Sequence, residues 1–251
     1  MIPSPASGPE IIAHRGYSAR APENTLVAVD KAIAAGADAI EWDVHVAMCG
    51  TPVLFHDVNL SRTSNGVGPV RRRTLAQLQA LDAGKWYGPE FAGEKIPSLA
   101  QALERTKGRV QRVYTEVKGF REMEDLDRMV DIVRKAERIQ DTVFISLNWA
   151  ILDRIAGRDA QVGIGYIVDA VERFDEALTR AASDGRSLID VNHRLVLERP
   201  ELAQRAVERG ITVAVWTVNE PAEAATLRAA GVTRFTTDQV ETLLAWRAGK
   251  A

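Results

Sequence analysis

The residues best suited to chemistry are carboxylates, imidazoles and cations held in short strings. Glu41 and Asp43 stand two apart in the run AIEWDVHV. In an extended strand alternate side chains share a face, so both carboxylates point the same way, with Ile40, Trp42 and Val44 on the other side. Two neighbouring buried carboxylates repel and raise each other's pKa unless a cation or a shared proton relieves them. Glu116 and Lys118 repeat the spacing in VYTEVK, adding a third carboxylate and a positive charge that could hold a phosphate oxygen. Three carboxylate oxygens, completed by water and substrate oxygens, suit one divalent ion, Mg²⁺ or Ca²⁺, better than zinc, which prefers nitrogen and sulfur. The plainer alternatives are a strand whose carboxylates face solvent, and a salt bridge from Lys118 to Glu116 or Asp43.

The imidazoles supply proton-transfer groups. His14-Arg15-Gly16 closes an apolar run, and His56-Asp57 follows the short run Pro52 to Phe55. A His-Arg pair at the end of a strand can equally cap it and bond the next loop. The other two histidines, His45 and His193, read by default as structural or exposed. His45 shares the strand face of Glu41 and Asp43, which keeps it open as a residue of the same mouth.

These strings need elements to bring them together. Short β-branched runs are predicted as strands over 10–14, 39–46, 113–118, 143–147, 162–168, 188–192, 212–218 and 234–237, separated by helical patterns such as 25–35, 121–138, 200–209 and 221–230. This alternation predicts βα units around a parallel sheet, and eight units favour a closed (β/α)8 barrel over an open doubly wound sheet. In such barrels sites are built at the C-terminal ends of the strands, where His14, Asp43, Glu116 and Lys118 fall. The stretch 51–108 breaks the rhythm as a turn-rich insertion between the second and third strands. His56 joins the mouth if this insertion folds back over it. Arg71 to Arg73 within it read as a solvated face. The whole chain, 1–251, reads as a single barrel domain.

Composition narrows the class further. Across 251 residues, 32 Lys and Arg oppose 34 Asp and Glu, giving a formal charge of −2, and the pI is about 6.1. A nucleic-acid-binding domain normally shows a basic footprint, so that class is excluded. The single cysteine, Cys49, cannot form an intramolecular disulfide. No apolar run is long enough to span a bilayer, and Met1 to Glu10 lacks the basic and apolar regions of a leader. The expectation is a cytoplasmic enzyme without integral membrane contact; a homo-oligomer stays compatible with the sequence.

Taken in order, His14-Arg15-Gly16, Pro22-Glu23-Asn24-Thr25, Glu41-x-Asp43-Val44, His56-Asp57, Arg62-Thr63, Gly66-x-Gly68, Leu81-Asp82-x-Gly84-x-Trp86, Ile96-Pro97-x-Leu99, Glu116-x-Lys118 and Trp216-Thr217-Val218-Asn219 resemble the glycerophosphodiester phosphodiesterase family over nearly the whole chain. The resemblance implies a (β/α)8 barrel with a small insertion after the second strand. It also implies metal-dependent hydrolysis of a small-molecule glycerophosphodiester to an alcohol and sn-glycerol 3-phosphate. By the same resemblance His14 and His56 are catalytic, Glu41, Asp43 and Glu116 hold the metal, Arg15 and Lys118 hold phosphate, and Trp216 packs near the site mouth on the glycerol or head group. Glu23 and Asn24 then serve as a structural or supporting motif, or only as a helix start. The chain departs from the family at Ala47-Met48-Cys49-Gly50, a turn, and at Ser146-Leu147, part of the apolar wall. Two rival readings keep the barrel: lysophospholipase D-type cleavage of a lysophospholipid, and a non-catalytic phosphodiester-binding protein.

Overall fold

The computed structural model describes residues 8–250; residues 1–7, part of the N-terminal stretch read above as lacking a leader, lie outside the described residues. The chain runs β1 (Glu10–Ala13), α1 (Leu26–Ala35), β2 (Ala39–Val46), β3 (Pro52–Leu54), α2 (Leu75–Gln79), α3 (Leu99–Thr106), β4 (Arg112–Val117), α4 (Met123–Lys135), β5 (Thr142–Ser146), α5 (Trp149–Arg158), β6 (Gly163–Val168), α6 (Phe174–Asp184), β7 (Leu188–Asn192), α7 (His193–Glu198), α8 (Glu201–Glu208), β8 (Thr212–Trp216), α9 (Pro221–Ala229), β9 (Arg234–Thr237) and α10 (Val240–Arg247). Eight of these strands pair in parallel, and β1 closes the ring by pairing with both β9 and β2. The result is the (β/α)8 barrel that the alternation of runs predicts.

Strand β2 shows why the pattern reads as it does. Ile40, Trp42 and Val44 pack outward into the helix-facing core, whereas Ile12, Ala39, Tyr114, Ile145, Ile167 and Ala214 fill the barrel interior. The second strand is therefore buried on both faces, as parallel barrel strands are. Predicted strand ends run slightly long. His14 already lies past β1, because Arg15 takes a left-handed backbone, φ 55°, and turns the chain away from the sheet.

The insertion folds back for a topological reason. β4 occupies one edge of β2 from Ala39 to Val44, and β1 covers the other edge only at Ala39 and Ile40. The free remainder of that second edge is taken by β3, antiparallel, with Val44 opposite Leu54 and Val46 opposite Pro52. The turn between them is closed by Gly50, φ 79°, through the hydrogen bond of its N–H to the Ala47 carbonyl. β3 therefore runs back along β2 from its C-terminal end, and His56 arrives at the same cavity as His14. The rest of the insertion is anchored by its own small core, including Phe55, Leu60, Val70, Leu78 and Ile96. Arg71 and Arg72 are exposed on it.

Candidate active site

At the C-terminal end of the barrel, Glu41, Asp43 and Glu116 converge so that one carboxylate oxygen from each lies within 4.8 Å of the others. β2 and β4 bring them together directly, since Asp43 and Glu116 are register neighbours. All three are largely withdrawn from water. Burial first, then the charges of Asp43 and Glu116, push Glu41 well above the ordinary carboxylate range. Glu116 is raised by burial and by Asp43. For Asp43 burial acts upward too, but the Arg15 and Lys118 cations outweigh it and its pKa is lowered. Buried Oε1 of Glu41 has no hydrogen-bond partner among the described residues, and Oδ1 of Asp43 has only the Lys118 ammonium at 3.3 Å. An unpaired oxygen and like-charge crowding in one spot are what a hard divalent cation relieves, so the donor set fits Mg²⁺ or Ca²⁺.

The HRG string is shaped to present this cluster. The Arg15 backbone N–H, turned by its positive φ, donates to Glu41 Oε2 at 3.0 Å. Gly16, φ 80°, lies against α1, and a Cβ there would come within 2.7 Å of the Ala28 backbone. Only glycine permits that approach. Asn24 grips Asp43 from both sides: its Nδ2 donates to Oδ2 at 2.8 Å, and its Oδ1 accepts from the Asp43 N–H at 3.0 Å. The next residue, Thr25, caps α1. The Pro-Glu-Asn-Thr string is therefore both a helix start and a support for the acidic cluster.

Each histidine at the mouth is backed by a carboxylate. His14 Nδ1–H donates to Asp238 Oδ1 at 2.7 Å, and its Nε2 lies 4.0 Å from Glu41 Oε2. His56 Nδ1–H donates to Asp57 Oδ1 at 2.6 Å. Fixing Nδ1 in this way sets the tautomer and turns Nε2 toward the substrate side. Burial lowers the His56 pKa, with Arg15 and Lys118 adding to that and Asp43 and Asp57 opposing it. A cavity of about 140 Å³ opens between the two imidazoles, and its wall also includes Arg15, Glu41, Glu116 and Lys118. Lys118 Nζ sits 2.6 Å from Glu116 and 3.3 Å from Asp43. Arg15 pairs with Glu23 at 2.8 Å and lies 3.2 Å from Asp43. The plainer salt-bridge reading of Lys118 thus describes its contacts, and the same contacts hold the cation at the cavity wall.

Residues 14–242 match the glycerophosphoryl diester phosphodiesterase family. The chain belongs to that family. It is 34% identical to the Bacillus subtilis protein YhdW over 230 residues, 91% of this chain and 93% of that one. It is 32% identical to the glycerophosphodiester phosphodiesterase of Caldanaerobacter subterraneus subsp. tengcongensis over 238 residues, 93% of this chain and 96% of that one. Among solved structures, an Oleispira antarctica phosphodiesterase in complex with the product sn-glycerol-3-phosphate superposes with a TM-score of 0.85 at 28% identity, covering 95% of this chain and 96% of that chain.

The barrel of this glycerophosphoryl diester phosphodiesterase family member brings Arg15, Lys118 and Trp216 to the same cavity as His14, His56, Glu41 and Glu116, with Asp43 beside them, and adds others. Trp216 is half-buried, packs on the interior core and also lines the cavity. Leu147, at the departure from the family's apolar wall, lines it as well and is 40% exposed. His45 does not reach the cavity wall: its Nε2–H donates to the His56 carbonyl at 3.0 Å. His193 donates from Nδ1 to the Trp216 carbonyl at 3.0 Å. Each thus has a ring nitrogen engaged by a backbone carbonyl.

Two acidic positions, Asp238 and Asp190, escaped the sequence reading, and a third, Asp57, was named there only as the neighbour of His56. Asp238, 224 residues from His14, also accepts from Ser18 at 2.9 Å and Asn219 at 3.0 Å. Burial works against its ionised form, but those bonds, led by that of His14, hold it well below the usual carboxylate range. Asp57 is tied by Arg62, which also bonds Glu23, so one ion network joins His56 to Arg15. Asp190 on β7 lines the cavity floor; burial, then Glu116, push its pKa up to about 8. Asp190 and Asp238 had no spaced partner in the sequence to signal them.

Proposed function

We propose that the protein hydrolyses glycerophosphodiesters to an alcohol and sn-glycerol 3-phosphate, with Glu41, Asp43 and Glu116 holding a divalent cation. The observation that carries this reading is the convergence of three largely buried carboxylates, beside two carboxylate-backed histidines, in a chain of this family. Insertion and barrel act here as one unit, because His56 comes from the first and His14 from the second.

A divalent cation held by Glu41, Asp43 and Glu116 would supply Lewis-acid polarisation of the phosphoryl oxygens and offset of their charge. Arg15 and Lys118 orient the phosphate and stabilise the negative charge that builds on it in the transition state. One imidazole takes the proton of the nucleophile and the other returns one to the departing alkoxide, each held in the needed tautomer by its aspartate. Trp216 gives the organic part of the substrate an apolar surface.

The test is release of sn-glycerol 3-phosphate from glycerophosphocholine and glycerophosphoethanolamine after chelation, and again with Mg²⁺ or Ca²⁺ restored, for the native chain and for His14→Ala and His56→Ala. Metal-dependent release that both variants lose is the expected result. Folded protein that releases nothing from either diester under any metal overturns the assignment; release from lysophosphatidylcholine alone would move the substrate to lysophospholipids, with Leu147 at the mouth beginning their apolar path.

A further inference from the structure

Asp190 has no part in the chemistry above, yet it occupies the floor of the same cavity. It is 4% exposed, and its buried Oδ1 has no hydrogen-bond partner among the described residues. Its register neighbours in the barrel wall are Ile167 on β6 and Ala214 on β8, and Ile145 lines the same floor. A buried polar group without a partner costs stability, and one that persists beside a binding cavity calls for a ligand atom to complete it.

The place of Asp190 in the barrel limits what that atom can be. A phosphate is drawn to the other wall, where Arg15 and Lys118 stand, and the apolar neighbours of Asp190 offer it no counter-charge. Trp216, whose register partner is Asn192, stands one layer nearer the mouth, and its Nε1–H reaches down to the Asp190 carbonyl at 3.4 Å. The organic group leaving by the mouth therefore passes Trp216, while the group retained with the phosphate lies deepest. On the proposed reading that retained group is glycerol, which carries hydroxyls and no charge.

We propose that Asp190 is a specificity residue whose carboxyl hydrogen-bonds a glycerol hydroxyl at the closed end of the pocket, so that the enzyme distinguishes a polyol phosphate from a plain alkyl phosphate. This inference rests on the proposed function but is read by a different measurement. Burial keeps the carboxyl protonated near neutral pH, which suits a hydroxyl that can both accept and donate better than it suits a cationic head group.

The test is calorimetric binding of sn-glycerol 3-phosphate and of propyl phosphate, which lacks both hydroxyls, to the Ca²⁺-loaded protein, native and with Asp190→Ala and Asp190→Asn. The native protein should prefer sn-glycerol 3-phosphate by about tenfold or more, the value of one hydrogen bond to a buried group. Asp190→Ala should remove most of that preference by weakening sn-glycerol 3-phosphate while leaving propyl phosphate unchanged. Asp190→Asn should not lower Tm, because no protein partner is orphaned; a purely structural aspartate would lower it. Equal loss of both ligands, an unchanged preference, or a lower Tm in Asp190→Asn overturns the inference. So does an unchanged preference accompanied by altered discrimination between glycerophosphocholine and glycerophosphoglycerol, which would assign Asp190 to the head group. Absence of turnover with the preference intact would fault the proposed reaction and not Asp190; binding of neither phosphate would remove both.

Discussion

The barrel buries charge at both ends, and the two ends treat it differently. At the floor, Glu10 is fully buried and its oxygens are filled: Tyr114 donates to it at 2.8 Å, Arg234 at 2.7 Å, and Arg112 donates to its other oxygen. Arg234 also reaches the Tyr114 hydroxyl at 2.5 Å. At the mouth, Glu41 and Asp43 are nearly as buried, but Glu41 Oε1 has no hydrogen-bond partner among the described residues and Asp43 Oδ1 has only the Lys118 cation at 3.3 Å. Both clusters mix carboxylates with guanidinium groups, so composition does not separate them. What separates them is the carboxylate oxygens: where protein donors fill them the cluster is scaffold, and where one is left open the site takes its last partner from outside.

The sharpest way to break that contrast is to remove a group from each end. His14→Ala and His56→Ala should each lower kcat/KM by about 10² to 10⁴, the usual worth of an acid or base group, while Tm stays near native. Glu10→Ala should do the reverse. Stripping the carboxylate from a buried pair costs about 3–5 kcal/mol, so its Tm should fall steeply while turnover per folded molecule at low temperature persists. Urea titrations beside initial rates read both. A Glu10 variant that stays stable and loses turnover would make the floor part of the site.

Metal sharpens the contrast from the other side. A ligand that binds only the folded chain stabilises it by about 2.7 kcal/mol at 100 times its Kd. Adding Mg²⁺ or Ca²⁺ to chelated protein should therefore raise Tm in the native chain and in Glu10→Ala alike, and should not in Glu41→Gln. Asn24→Ala, which releases the two-sided grip on Asp43, should weaken metal binding about 10- to 100-fold, the usual cost of losing such a support. A Tm titration against metal concentration measures both. Equal metal response in Glu41→Gln would place the cation elsewhere.

How much of this was legible in the sequence follows from the same contrast. The strands, their faces and the carboxylate pairs could be read because a period of two fixes which side chains share a wall, and Ile40, Trp42 and Val44 marked the outer one. The position of His56 was legible only as a condition. Its fulfilment depends on β3 taking the edge of β2 that β1 leaves open, which no local pattern expresses. Asp238 and Asp190 were invisible for a related reason. Each is a single carboxylate in an apolar or turn context, and its partner or cavity arises only when β9 closes on β1 and β7 joins the wall. Local periodicity predicts a wall; ring closure decides what meets across it.

The smallest expected effect concerns pH and distinguishes the two histidines. Burial depresses the His56 pKa below the ordinary value of about 6.5. The unfolded chain binds that proton first as pH falls. His56 therefore contributes stability that is full above about 6.5 and is lost as pH falls toward its folded value. The Asp57 carboxylate opposes the depression, so Asp57→Asn should move the His56 titration to still lower pH, read by NMR of its ring nitrogens. The His14 resonances, tied to Asp238 on the other side of the cavity, should stay in place. An upward move of His56 in Asp57→Asn would mean that the hydrogen bond from Nδ1 does not favour the charged ring and that Arg62, released from its partner, governs the site instead.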